Sequence, residues 1–422
     1  MMAKPADKNI QSGNSRVKVT IYGQVNKAVR ITSTGGESSV QTVDNDGSSS
    51  RIGIRAVGKA NANLTIGGWH ELEWQENRRS ATSQDNAGNV RVRSRHVDLW
   101  LDHKNFGQVW MGHGSIAGDA AGLFSVTGTG HVFGSGTHYA ADGVSAAKSD
   151  AGIASGKSRG TKSFAFFGAR ENRIMYVTPS LMGGRLRVSY GENKSYSVGL
   201  RYFGAPPGVK SFSSAFAAGY RYDPNEATGA ARTAFAVSGG VKHSSGFNVS
   251  GGYESSRTKG SDAKPYDWFA EGGWTGKVSD MGATSLGVGY GASSDGMMGK
   301  AQQYWIAVNQ KVDAAAADVY AGVAFDSGSV SHTAMHGDTN TYAIDPSDGV
   351  NKQQDTNSVF KGAEGYIPLH TADSVDAACG AVPDSDASGT IDNADWLAHD
   401  GTQCSVDRDG VVIFLVGVRI KF

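Results

Sequence analysis

The C-terminal segment constrains the fold of this chain more than any other stretch. Val412, Phe414, Val416, Val418, Ile420 and Phe422 fall on one side of a two-residue period, with Gly417, Arg419 and Lys421 on the other. Side chains alternate across a β-strand, so the segment predicts a strand with one apolar and one charged face. In a soluble sandwich the apolar face would meet a second sheet. In a closed membrane barrel it meets lipid, and the charges face water inside. The opening segment repeats the pattern. Val17, Val19, Ile21, Val25, Val29 and Ile31 alternate with Lys18, Thr20, Tyr22, Gln24, Asn26 and Arg30. Lys27 breaks the apolar face near its end, a position suited to a membrane interface. First and last strands of one type can pair, which removes both free edges.

No helix is available to cross a membrane. The longest apolar stretch, Val411–Val418, falls well short of the roughly 18 residues a spanning helix needs. A barrel strand needs only about 9–11 residues, of which alternate ones face lipid, so the mean hydropathy of −0.34 is compatible with a barrel. Between the terminal strands the pattern predicts strands at 50–58, 63–76, 91–103, 107–113, 164–178, 184–191, 196–203, 212–222, 232–244, 246–256, 266–277, 283–292, 301–311 and 316–326. The fold class is therefore all-β, a 16-stranded antiparallel transmembrane β-barrel, with the even strand number such barrels require. Very short connections, such as Ser244–Ser245 and Val312–Ala315, alternate with long ones, as expected across an outer membrane.

The domain reading is a polar N-terminal segment, 1–15, followed by one barrel, 16–422. The N-terminus lacks the apolar core of a signal peptide, so the expectation is an export signal already removed. Two connections are long enough to imply a function, 114–163 and 327–409. The first is rich in Gly, Ser and Ala. In the second, Asp and Glu far outnumber Lys352, Lys361 and Arg408. Trp69, Trp74, Trp100, Trp110, Trp268, Trp274 and Trp305 lie near strand ends and read as interface girdles.

Forty basic and forty acidic residues balance, so no basic surface points to nucleic acid. With 58 Gly and 9 Pro the composition suits many strands and tight turns rather than collagen or proline-rich linkers. No Gly-x-Gly-x-x-Gly opens a helix and no phosphate loop is present. His243-Ser244, with His70, His96, His131 and His138, raises the question of an outer-membrane hydrolase. His243 falls at a predicted turn, where a solvated imidazole is the simpler reading, and no enzyme activity is expected.

Several collinear segments resemble the general, non-specific porins of Gram-negative outer membranes. Val19-Thr-Ile-Tyr-Gly-Gln-Val25 looks like their first strand, and Ser48-Ser-Ser-Arg-Ile-Gly-Ile-Arg55 like their second. Arg95 through Phe106-Gly-Gln-Val-Trp-Met-Gly112 looks like the strands before their third loop. Asn172–Ser180 and Gly183–Tyr190 resemble the strands on the far side of that loop. Phe422 matches the last aromatic residue that the barrel-assembly machinery recognises. The resemblance covers most of the first half and the last strand; the middle strands agree in pattern only.

The resemblance implies a homotrimer in outer-membrane lipid, with 114–163 folded inward as a constriction loop and 327–409 as a long extracellular loop. It implies basic wall residues facing acids on the loop. Arg51 and Arg95 fall where such porins carry wall arginines, with Arg170 or Arg173 as a third. Asp119 is the best loop acid, ahead of Asp142 and Asp150. The loop is longer and poorer in acids than usual, and His113 stands where Arg is common. The strand containing Arg95 alternates poorly: with Arg95 inward, Asp98 and Trp100 fall on the other face. A bulge or a protomer contact would explain it.

Asp384-Ser-Asp-Ala-Ser-Gly-Thr-Ile-Asp-Asn-Ala-Asp395 is the sharpest local motif. Asp384, Asp386, Ser388, Asp392 and Asp395 occupy the ligand positions of an EF-hand calcium loop, Thr390 the carbonyl position and Gly389 the turn. It resembles the dockerin version, with Asp for Glu at the last position. Calcium is the expected structural ion. Cys379 and Cys404 bracket the motif and read as a disulfide in an exported protein.

Three functions fit this reading: a channel for passive diffusion of ions and small hydrophilic solutes, a substrate-selective channel on the same fold, or a barrel anchoring a calcium-organised adhesion loop.

Overall fold

The computed structural model describes residues 13–34, 37–79, 82, 90–134, 170–192, 194–205, 209, 211–224, 230–261, 263–294, 299–333, 359–362, 365–368 and 403–422. One antiparallel sheet closes on itself. Its segments are β1 Val17–Thr34, β2 Glu37–Asp44, β3 Arg51–Lys59, β4 Leu64–Gln75, β5 Arg91–His103, β6 Gly107–Ser115, β7 Arg170–Val177 and β8 Gly184–Gly191. They continue as β9 Tyr196–Gly204, β10 Phe212–Asp223, β11 Arg232–His243, β12 Phe247–Thr258, β13 Tyr266–Ser279, β14 Gly282–Ser294, β15 Gly299–Val312 and β16 Ala317–Thr333. A small hairpin, β17 Val359–Gly362 and β18 Gly365–Pro368, precedes β19 Gln403–Lys421.

β1 closes the barrel. On one side it pairs with β19, from Gln24 opposite Lys421 to Thr34 opposite Val411. On the other side β2 covers its upper half and β3 its lower half. Seventeen segments form the sheet, and because β2 and β3 share one place beside β1, they fill sixteen positions. Closure removes the free edges of the first and last strands, β1 and β19, as lipid requires.

The strands follow the alternation seen in the sequence. Along β1 the outer face carries Ile21, Val25, Val29 and Ile31, and the inner face buries Asn26, Ala28, Arg30 and Thr32. In β19, Phe414, Val416, Val418, Ile420 and Phe422 face outward, while Arg419 reaches Asp318 inside. Outward aromatics form two belts. Tyr196, Tyr220 and Tyr222 cluster near one rim, as do Trp268, Tyr290 and Tyr304. Phe106, Phe247, Trp274 and Phe422 mark the opposite rim, beside the short turns.

Three elements depart from the pattern. β2 (Glu-Ser-Ser-Val-Gln-Thr-Val-Asp) is nearly all polar, which hid it in the sequence, and a short 3-10 turn at Asp46–Ser48 separates it from β3. β16 and β19 extend to Thr333 and back to Gln403, so residues 328–333 and 403–408 pair as strand. A bulge between Asp326 and Gly328 marks where that extension begins.

The tryptophans divide differently from the girdle expectation. Trp74, Trp268 and Trp274 face outward, whereas Trp69, Trp100, Trp110 and Trp305 face inward. Trp305 is almost fully buried. Inward residues must fill the space between the wall and the segment folded against it, and aromatic rings do this with few side chains.

Candidate pore constriction

Residues 116–134, which follow β6, run along the inner wall from β8 round to β16. Four wall hydroxyls hold this segment by accepting backbone N–H groups. Ser189 accepts from Ala117 at 3.0 Å, Ser197 from Gly118 at 2.9 Å, Ser238 from Phe124 at 2.7 Å and Ser250 from Val126 at 2.9 Å. Where the loop backbone presses on the wall, the wall residue is glycine. A Cβ at Gly199 would collide with the Ala117 carbonyl, and one at Gly252 would lie 2.6 Å from the Gly122 carbonyl. A Cβ at Gly322 would lie 2.7 Å from the Phe133 ring.

The far end of the segment is locked against β2 and β16. Asn45 Nδ2 donates to the His131 carbonyl at 2.7 Å and to the Tyr320 hydroxyl at 2.9 Å. Arg79 donates to the Val132 carbonyl at 3.0 Å. Val132 and Phe133 bury among Trp305, Tyr320, Ile413 and Leu415. This apolar cluster lies inside the barrel, between wall and loop. The described part of the loop, 116–134, therefore covers the β8–β16 side of the lumen, and among the described residues the β3–β7 wall is not covered by it.

That wall carries charges in pairs. β5 bulges where Glu71 pairs with His96 and Leu72 with Ser94, so Arg95 is the extra residue. The bulge shifts the strand by one residue. Arg91, Arg93 and Arg95 thus share the inner face with His96, Asp98 and Trp100, while Val97, Leu99 and Leu101 face outward. It resolves the irregular alternation of this strand. Arg95 donates to Glu71 at 2.6 Å and to Glu73 at 2.7 Å; Arg93 reaches Glu73 at 2.8 Å and Arg51 reaches Glu71 at 3.7 Å. Tyr22 donates to Glu71 at 2.7 Å, and Ser49 to Glu73 at 2.7 Å.

Beside this group, Arg173 on β7 donates to Asp98 at 2.6 Å, and His96 Nδ1 lies 3.0 Å from the same carboxylate. Trp69 stacks on the His96 ring at 3.6 Å between centroids. Gly114 makes the room: a Cβ there would strike Asp98 and lie 2.7 Å from Arg173.

The structure thus brings Arg51 and Arg95 together and places Arg173 next to them on the same inner wall. Arg170 begins β7, opposite Ser115. The partners differ from the expected loop acids. Arg51, Arg95 and Arg173 pair with wall carboxylates, Glu71, Glu73 and Asp98, which sequence reasoning missed. Asp119 is buried on the loop, and its backbone carbonyl accepts from Arg201 at 2.6 Å. His113 lies on the outer face with Val109 and Met111. Also missed were Arg185, Arg187 and Arg201 on the inner faces of β8 and β9. Their signal was present, since Arg185-Leu-Arg187-Val and Leu200-Arg201 continue the alternation.

Asp384, Asp386, Ser388, Thr390, Asp392 and Asp395 lie outside the described residues, as do Cys379, Asp142 and Asp150. Cys404 lies on β19, opposite His332.

A closed barrel with an apolar outer belt, a polar lumen and an inward loop defines a membrane channel. The family model of Gram-negative porins matches residues 3–331, and the chain belongs to that family. It is an outer-membrane porin, a channel for passive diffusion, and not an enzyme.

Solved structures agree in fold. The anion-selective porin from Comamonas acidovorans matches with a TM-score of 0.54 at 16% identity, over 96% of this chain and 100% of that one. In-vitro folded OmpT of Vibrio cholerae matches with a TM-score of 0.52 at 14% identity, over 98% and 100%. A trimer form of the same protein matches with a TM-score of 0.51 at 13% identity, over 96% and 99%. No curated protein sequence matches the chain.

Proposed function

We propose that this porin is a homotrimer whose lumen favours small anions, with its constriction between the Arg51–Arg95–Glu71–Glu73 wall and the loop carrying Asp119. One observation carries the ion preference. Arg185, Arg187 and Arg201 face the lumen, and among the described residues none has a carboxylate within ion-pair distance. At the constriction Asp98 is matched by Arg173, but Glu71 and Glu73 are shared by Arg51, Arg91, Arg93 and Arg95, so positive charge stays in excess there too. Unneutralised charge lining a narrow aqueous path enriches counter-ions and filters by sign. The solved relative from Comamonas acidovorans is described as anion-selective, and that of Vibrio cholerae exists in a trimer form.

Reversal potential across a potassium chloride gradient tests the preference. A potential of the sign set by chloride is expected, moving toward zero in an Arg187→Gln, Arg201→Gln double variant. A potential of the sign set by potassium contradicts the reading. Calcium binding by Asp384, Asp386, Ser388, Thr390, Asp392 and Asp395, with a Cys379–Cys404 disulfide around it, is a separate proposal supported by sequence spacing alone.

A further inference from the structure

A cavity of about 650 Å³ opens between the inner faces of β5–β9 and the loop. Its character changes from one side to the other. Met175 and Val177 are buried beside Ala117 and Trp110, which makes an apolar floor. Phe124 from the loop packs against Phe203 at 5.4 Å between ring centroids, and half of Phe203 remains open to the lumen. Arg185, Arg187 and Arg201 form the polar side.

The placement of these arginines is costly. Arg185 and Arg201 stand directly opposite one another in the β8–β9 register, and Arg187 follows two residues along on the same face. Like charges opposed across a strand pair destabilise a sheet. Among the described residues Arg187 donates to the Met175 sulfur at 3.4 Å and the Ala117 carbonyl at 3.5 Å. Arg201 donates to the Asp119 carbonyl at 2.6 Å and lies over the Phe124 ring at 5.5 Å. The Asp119 carboxylate lines the same cavity and acts on Arg187 and Arg201 through space, but among the described residues no direct ion pair to it forms. Guanidinium groups held next to rings with no directly paired carboxylate among the described residues match a ligand that carries its own anion and an apolar body.

We infer that the cavity between β5–β9 and the loop is a binding subsite for small aromatic carboxylates. The carboxylate pairs with Arg187 and Arg201, and the ring lies on Phe124, Phe203 and Trp110. The inference deepens the anion preference and rests on the channel reading. Passive diffusion remains the function, with a longer dwell in the lumen for this class of solute.

Benzoate is the probe. Acetate carries the charge without the ring, and benzyl alcohol the ring without the charge. In planar bilayers benzoate is expected to interrupt the current of the full-length protein in a concentration-dependent way, while acetate and benzyl alcohol at equal concentration do not. Arg187→Gln and Arg201→Gln each weaken the benzoate block about tenfold or more, since a charge-assisted hydrogen bond is lost. Phe203→Ala narrows the difference between benzoate and acetate. Titration calorimetry of the detergent-folded protein with benzoate reads the site independently of conduction. Binding there without conductance supports the subsite and contradicts the channel reading. Normal ohmic conductance with benzoate and acetate behaving alike, or no calorimetric binding of benzoate, overturns the inference.

Discussion

Arg173 and Asp98 form an ion pair at 2.6 Å with side chains that are 1% and 0% exposed, inside the wall of a channel. They join β7 to β5 across β6, next to the point where the loop leaves the wall. Arg173 also donates to the carbonyls of Ser115 and Gly112, so the guanidinium fixes the end of β6 from which the loop departs.

Removing one partner of this pair leaves a buried charge with no counter-charge, which costs about 3–5 kcal/mol. Asp98→Asn or Arg173→Gln should each lower the temperature at which the folded, fast-migrating form converts to the unfolded one on gels. The double variant should recover part of the loss, because neither charge is then left alone. A double-mutant cycle on these conversion temperatures checks it. Additive losses would show that the two residues act separately.

The wall glycines predict how the loop responds to bulk. Gly199→Val places atoms where the Ala117 carbonyl now sits, so the loop must move toward the pore axis. Single-channel conductance should fall. Gly68→Ala is the control, since the nearest atom to its new Cβ is a Leu99 methyl at 3.7 Å, an ordinary contact. Conductance should not change there.

The serine ladder predicts a different effect. Changing Ser189, Ser197, Ser238 and Ser250 to Ala removes four acceptors of loop N–H groups. Each bond contributes about 1 kcal/mol or less, because lumen water can replace part of it. The barrel should assemble normally, and open-channel current noise should rise as the loop loosens. Unchanged noise in the quadruple variant would show that the glycine fit and the Val132–Phe133 cluster hold the loop without it.

Calcium is tested by titration calorimetry on the whole protein. A single loop of this kind is expected to bind with a dissociation constant on the order of 10⁻⁴–10⁻³ M. Asp384→Ala with Asp386→Ala should abolish the heat signal, and mass spectrometry of non-reduced peptides should find Cys379 joined to Cys404.

The sequence made most of the barrel legible because lipid enforces a strict rule on the outer face. Strands such as Phe247–Thr258 and Gly282–Ser294 were recognisable from alternate apolar residues alone, with boundaries within a few residues. β2 was not, because it is polar on both faces and stands where Asp44 turns inward to receive the backbone of Glu76 and Asn77. The lumen follows no such rule. Arg51, Arg95 and Arg173 were visible as isolated basic residues in strands. Their partners Glu71, Glu73 and Asp98 depend on register, and on a bulge at Arg95 that sequence periodicity records only as a fault. The loop seat was hidden for a related reason. Glycine and serine on an inner face, as at Gly199 or Ser238, look like ordinary small residues until the chain that presses on them is in place.

Single-channel current through the purified protein in a planar bilayer tests the central claim most directly. Large ohmic steps, grouped in threes and with the reversal potential of an anion-preferring pore, are the predicted result. A folded, heat-modifiable protein that inserts without passing current would contradict it.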